Sequence, residues 1–156
     1  MSPTEKPEEM ALKRYDVVLK HLLGDIQIYW TRSQFFLVTN AALLGFELNS
    51  FPSSEIGTSK LIALFLGGLV GMTLCILWII SVRSGRIWMD HWKRALSEWE
   101  TLAFDNVNLY RQRPAGSPRS PKIPFVTAGL FLAVWSVFAL YLLICICFRL
   151  RGCPLP

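Results

Sequence analysis

Residues Leu61 to Val82, LIALFLGGLVGMTLCILWIISV, form a run of 22 residues without a charged side chain. At about 1.5 Å of rise per residue, a helix of this length covers the roughly 30 Å hydrocarbon core of a bilayer. Beyond it, Arg83 and Arg86 lead into WMDHWKRALSEWETL with no proline before Pro114, so the helix is expected to leave the membrane and continue into water. A second uncharged run, Pro124 to Phe148, is 25 residues long and spans with some tilt. A third, Gln34 to Phe46, is shorter and contains Thr39 and Asn40. It reaches spanning length only with Ser33, Glu47, Leu48 and Asn49 at the interfaces. Hydrophobic residues make up 53% of the chain and are gathered in runs, not spread at the spacing of a soluble core, so lipid is the expected solvent.

These runs predict an all-α integral membrane protein: three transmembrane helices with a cytosolic antiparallel helical-hairpin extension. The expected segments are a disordered Pro- and Glu-rich N-terminus (1–10), an amphipathic helix continuing into the first span (11–48) and an external loop (49–60). A second span running on into a cytosolic amphipathic helix (61–112) follows, then a linker with three prolines (113–123), the third span (124–148) and a tail (149–156). The N-terminal residues MSPTEKPEEM lack the basic-then-apolar layout of a cleavable signal, so the first span is expected to act as an uncleaved anchor.

The net charge of +5 is unevenly distributed. Lys6, Lys13, Arg14, Lys20 and Arg32 precede the first span, and Arg83, Arg86, Lys93, Arg94, Arg111, Arg113, Arg119 and Lys122 lie between the second and third. Only Lys60, Arg149 and Arg151 fall on the other side. The positive-inside rule therefore places the N-terminus and the 83–123 segment in the cytoplasm, as expected for a multi-pass protein of a bacterial inner membrane. Arg149 and Arg151 run against that preference. The basic residues are read as partners of anionic headgroups, not of nucleic acid.

Helical periodicity links membrane and cytosol. In the first helix, Leu12, Tyr15, Leu19, Leu22, Ile26 and Tyr29 recur at alternating steps of three and four, and the same count continues through Ser33, Phe36, Asn40, Leu43 and Glu47. In the second, the corresponding stripe is Leu64, Gly67, Gly71, Leu74, Trp78, Ser81, Gly85, Trp88, Trp92, Ala95, Trp99 and Leu102. Gly67 and Gly71 form a GxxxG pair, the kind of small-residue patch that lets helices approach closely in lipid. Trp88, Trp92 and Trp99 are expected to form the buried face of the cytosolic hairpin. The other reading of 87–103 is a surface-lying amphipathic helix with tryptophans among headgroups and Lys93 and Arg94 on phosphates.

Asn40 is the foremost candidate site, because a carboxamide near mid-membrane must find a partner. It can bond a backbone carbonyl opposite Gly67 or Gly71, pair with its own copy in an oligomer, satisfy itself within its helix, or line a pore. Trp30, Arg32, Arg83 and Arg86 are expected at the membrane interface, as aromatic belt and snorkelling bases. Neither His21 nor His91 has a ligand or triad partner at the right spacing. Cys145 and Cys147 point apart on a helix. The chain is therefore expected to have no enzymatic activity, no catalytic or metal site and no cofactor.

The stretch YWTRSQFFLVTNAALLGF at Tyr29–Phe46, followed by RSGRIWMDHWKRALSEWE at Arg83–Glu100, resembles a group of small bacterial membrane proteins. The general plan over residues 12 to 105 also resembles SLATT-type membrane effectors, in which a two-span hairpin with flanking cytosolic helices is thought to perforate membranes in bacterial conflict. This chain departs from that plan by a third span. Two functions follow: a self-associating scaffold or accessory subunit docking a cytosolic protein or ligand, or, as the resemblance implies, an oligomeric pore or membrane-disrupting effector.

Overall fold

A computed structural model describes residues 7–50, 57–104 and 122–151. They form three helices: α1 (Pro7–Ser50), α2 (Thr58–Ala103) and α3 (Ile123–Leu150). α1 begins within the stretch expected to be disordered, at a proline whose fixed φ and missing N–H suit a first turn. Gly24 does not interrupt it, since α1 remains helical on both sides. Gly57 opens α2, its carbonyl accepting the N–H groups of Lys60 and Leu61 at 3.0 and 3.2 Å. Pro124 lies in the first turn of α3, where no helical N–H is lost. The expected linker over 113–121 and the helical continuation over 105–112 lie outside the described residues.

The described residues fall into two compact units. Unit 1 takes its α1 residues from the segment up to Thr31 and its α2 residues from Arg83 onward, while unit 2 comprises 32–82 together with α3. In unit 1 the two helix segments run antiparallel: Tyr15 meets Phe104, Asp25 meets Trp92, and Tyr29 lies against Gly85. In unit 2, α1 and α2 are again antiparallel, with Phe36 stacked on Trp78 and Asn40 beside Cys75, and α3 packs against both.

Each helix buries one stripe and turns the rest outward. On α1 the stripe is Ala11, Leu22, Tyr29, Ser33, Asn40 and Glu47. Apart from Leu12, which is exposed while Ala11 takes its place, these positions share the register read from the sequence. On α2 the shared positions are Leu64, Gly71 and Trp78, but their alternates fall one residue later than expected. Gly68, Cys75, Val82, Met89 and Leu96 are buried, while Gly67, Leu74, Ser81 and Ala95 are half-buried and Trp88 is exposed. Steps of three-then-four and four-then-three both sum to seven, and an apolar run fills either phase. On α3, Pro124, Ala128, Trp135, Ala139, Leu142 and Cys145 face inward.

The interior of unit 2 is built around Leu61, Leu64, Leu142 and Cys145, with Phe65, Phe138 and Ile146 packed on them. Its outward surface is largely apolar, including Phe35, Val38, Phe46, Leu66, Val70, Leu130, Val137 and Leu140. α2 and α3 are both long and apolar enough to cross a membrane. The third expected span, on α1, is the least apolar of the three because its inward stripe carries Ser33, Asn40 and Glu47.

Candidate functional site

Asn40 is fully buried within unit 2 and joins all three helices. Its Nδ2 donates to the Phe36 carbonyl one turn back at 2.9 Å. Its Oδ1 accepts two bonds, from the Trp135 indole Nε1–H of α3 at 3.0 Å and from the Cys75 thiol of α2 at 3.2 Å. A tryptophan buried in an apolar bundle needs an acceptor for its N–H, and a carboxamide oxygen with two lone pairs can serve two donors. The partners of Asn40 are therefore one backbone carbonyl of its own helix and two side chains of the other helices, all of the same protomer.

The two glycines of the GxxxG pair each make room for a side chain. A Cβ at Gly71 would clash with the Trp135 indole, so this glycine lets the ring approach α2 closely with its N–H reaching Asn40. A Cβ at Gly67 would fall on the Glu47 carboxylate Oε1. Glu47, expected at the outer interface, is instead buried against this notch, and its Oε2 is without a hydrogen-bond partner among the described residues. The same holds for Trp78 Nε1, although that ring is stacked on Phe36 and tilted against Phe131 at centroid distances of 6.1 and 6.3 Å.

Unit 1 carries a chain of aromatic contacts. The Trp92 indole N–H donates to Asp25 Oδ2 at 2.8 Å, and its ring stacks on His21 at 5.3 Å. His91 lies edge-on to both Trp92 and Trp88, at 5.4 and 6.0 Å. Trp99 receives the Arg14 guanidinium 5.0 Å from its ring centroid, a cation–π contact. Met10, Lys13, Arg14, Val17, Val18 and Trp99 line a groove of about 340 Å³ beside it. Of the three tryptophans expected to share the hairpin's buried face, Trp92 and Trp99 are half-buried while Trp88 is 56% exposed. Met89 takes the inward position because the seam follows the later phase. Glu100 is fully buried on the same stripe.

Arg32, Arg83 and Arg86 all point outward, and Trp30 is partly exposed with its ring edge-to-face on Tyr29. Burial raises the Tyr29 hydroxyl above the ordinary tyrosine value, and the nearby Arg86 charge partly opposes the shift.

A family model described as the octameric membrane protein family matches residues 12–148, most of the chain. The chain belongs to the octameric membrane protein family. The match covers all three helices and makes this a membrane protein of a small helical family; the matched family is not that of the SLATT-type effectors. No curated protein and no solved structure matches this family member.

Several residues of the site escaped the sequence reading. Cys75, Trp135 and Glu100 do not stand out in it. The available signal was chemical: the three apolar runs held one carboxamide away from their ends, one tryptophan N–H per later run, and a glycine at the right spacing to seat a ring. Pairing them required the packing of α3, which periodicity does not supply.

Proposed function

We propose that this chain is a non-enzymatic, three-span protein of the bacterial inner membrane that assembles as eight copies and serves as a scaffold docking a cytosolic partner. Its N-terminus and unit 1 lie in the cytoplasm, as the distribution of Lys and Arg favours. The copy number follows the family's description.

One observation favours the scaffold over the pore: apart from Gln34, exposed at the end of the first span, the polar groups of the spans are turned inward or back onto their own helices. Asn40 is satisfied by groups of its own protomer. The hydroxyls of Thr39, Thr73, Thr127 and Ser136 each donate to the carbonyl four residues earlier, at 2.8 to 3.0 Å. A water-filled path between copies needs polar groups to replace bulk hydration, and these outward surfaces offer apolar side chains instead. The pore remains the second reading on one ground: eight copies supply enough helices to surround a channel, which one copy does not.

Ion flux from liposomes holding the purified protein, with Asn40→Leu in parallel, separates the two. The scaffold reading expects no flux from either protein and a change only in stability. Flux that Asn40→Leu alters would overturn it in favour of the pore.

A further inference from the structure

Eight identical chains inserted the same way up share a symmetry axis along the membrane normal, because a two-fold axis in the membrane plane would turn half of them over. A ring about one axis closes through heterologous contacts, so each copy presents two different faces to its neighbours. In lipid, apolar area alone does not drive helices together, whereas in water it does. The exposed apolar side chains of unit 1, on the cytosolic side in the reading above, are therefore where such faces are to be sought.

α1 of unit 1 carries apolar residues on both flanks of its buried stripe. Successive residues on a helix lie about 100° apart, so the residues just before and just after a buried position flank it on opposite sides. Leu12, Leu23 and Trp30 follow the buried Ala11, Leu22 and Tyr29, and all three are exposed. Their spacings of eleven and seven residues, about three and two turns, align them on one flank. His21 and Ile28 precede the buried Leu22 and Tyr29, and Val17 lies one more turn back on their side. The stacking of His21 on Trp92 places this second flank beside the aromatic chain that ends in exposed Trp88. A helix pair that only buried its own seam would carry polar residues on both flanks. This one carries apolar residues on two, beside Asp16 on the first and Arg14 on the second, and so offers the two faces a ring requires.

We propose that neighbouring copies of this chain meet through these flanks, the Val17, Ile28 and Trp88 side of one unit 1 against the Leu12, Leu23 and Trp30 side of the next. The occupant of each face is a second copy of the same chain, and the inference rests on the eight-copy reading above.

The test is the native mass of the full-length protein in nanodiscs, with protease resistance of unit 1 confirming that each variant is folded. Wild type is expected at eight copies. Trp88→Glu and Leu23→Glu should each lose the eight-copy species, and Leu23→Glu combined with Trp88→Lys should regain it. Ile87→Glu, at a side chain 64% exposed on neither flank, should retain it. Eight copies in either single glutamate variant, loss in Ile87→Glu, or no recovery in the charge-paired double variant would overturn the assignment of faces. A wild-type protein that is not octameric would instead overturn the reading on which it rests.

Discussion

Replacing Asn40 by leucine removes the acceptor shared by α2 and α3 while keeping similar bulk. The Trp135 indole N–H, fully buried, is then left without its bond, and an unsatisfied buried donor costs about 1–3 kcal/mol. The Cys75 thiol is a weak donor and adds little. Side-chain hydrogen bonds between helices in bilayers average nearer about 0.6 kcal/mol and reach about 1.7 kcal/mol, so the lower part of that range applies. A loss of about 1–2 kcal/mol raises the open fraction of the bundle about 5- to 30-fold. Cys75 is buried and reports that opening: its labelling by a small maleimide, followed by peptide mass, should accelerate by the same factor. Trp135→Phe should cost less in the Asn40→Leu background than alone, because removing both partners leaves no orphan. An unchanged Cys75 labelling rate, or strictly additive effects in the double variant, would refute the role given to this carboxamide.

Gly71→Ala should destabilise unit 2 by about 1–3 kcal/mol, since the added methyl displaces the Trp135 ring, and thermal unfolding in detergent would show it. Gly67→Ala should cost less than Gly71→Ala by the same measurement, because the obstructing atoms belong to the end of a flexible glutamate. Trp92→Phe deletes the bond to the Asp25 carboxylate, worth about 1.5–3 kcal/mol for a charged partner, and should speed proteolysis near Leu96. Unchanged cleavage would favour a surface-lying helix over the hairpin. Because burial raises Tyr29 above its ordinary value, the neutral phenol is the form favoured by folding. Its contribution is present below the unfolded value near 10.0 and is lost as pH rises through the raised one, so Tyr29→Phe should lessen alkaline unfolding followed by circular dichroism.

The register of α1 was legible because charged and apolar residues alternate along its first half, which fixes the phase before the helix reaches its apolar part. On α2 the phase had to be carried out of an apolar run in the other direction. Both choices were filled there, and the wrong one placed Trp88 inward in place of Met89. Asn40 announced itself as a polar group in an apolar setting. Its partners did not, because a thiol at Cys75 and an indole at Trp135 are ordinary apolar residues until a third helix brings them to one oxygen. The glycines were visible as small residues, but not what they accommodate: helix contact and a seated ring leave the same signature in sequence.

The seat of Trp135 on Gly71 bears on the order in which the protein is made. A ribosome that has delivered α1 and α2 has yet to supply one of the two donors to the Asn40 oxygen and the ring that lies against Gly71, both on a residue 64 positions downstream of that glycine. The last helix to emerge is thus the keystone. A nascent chain stalled before Trp135 should associate loosely, and full-length synthesis should lock it.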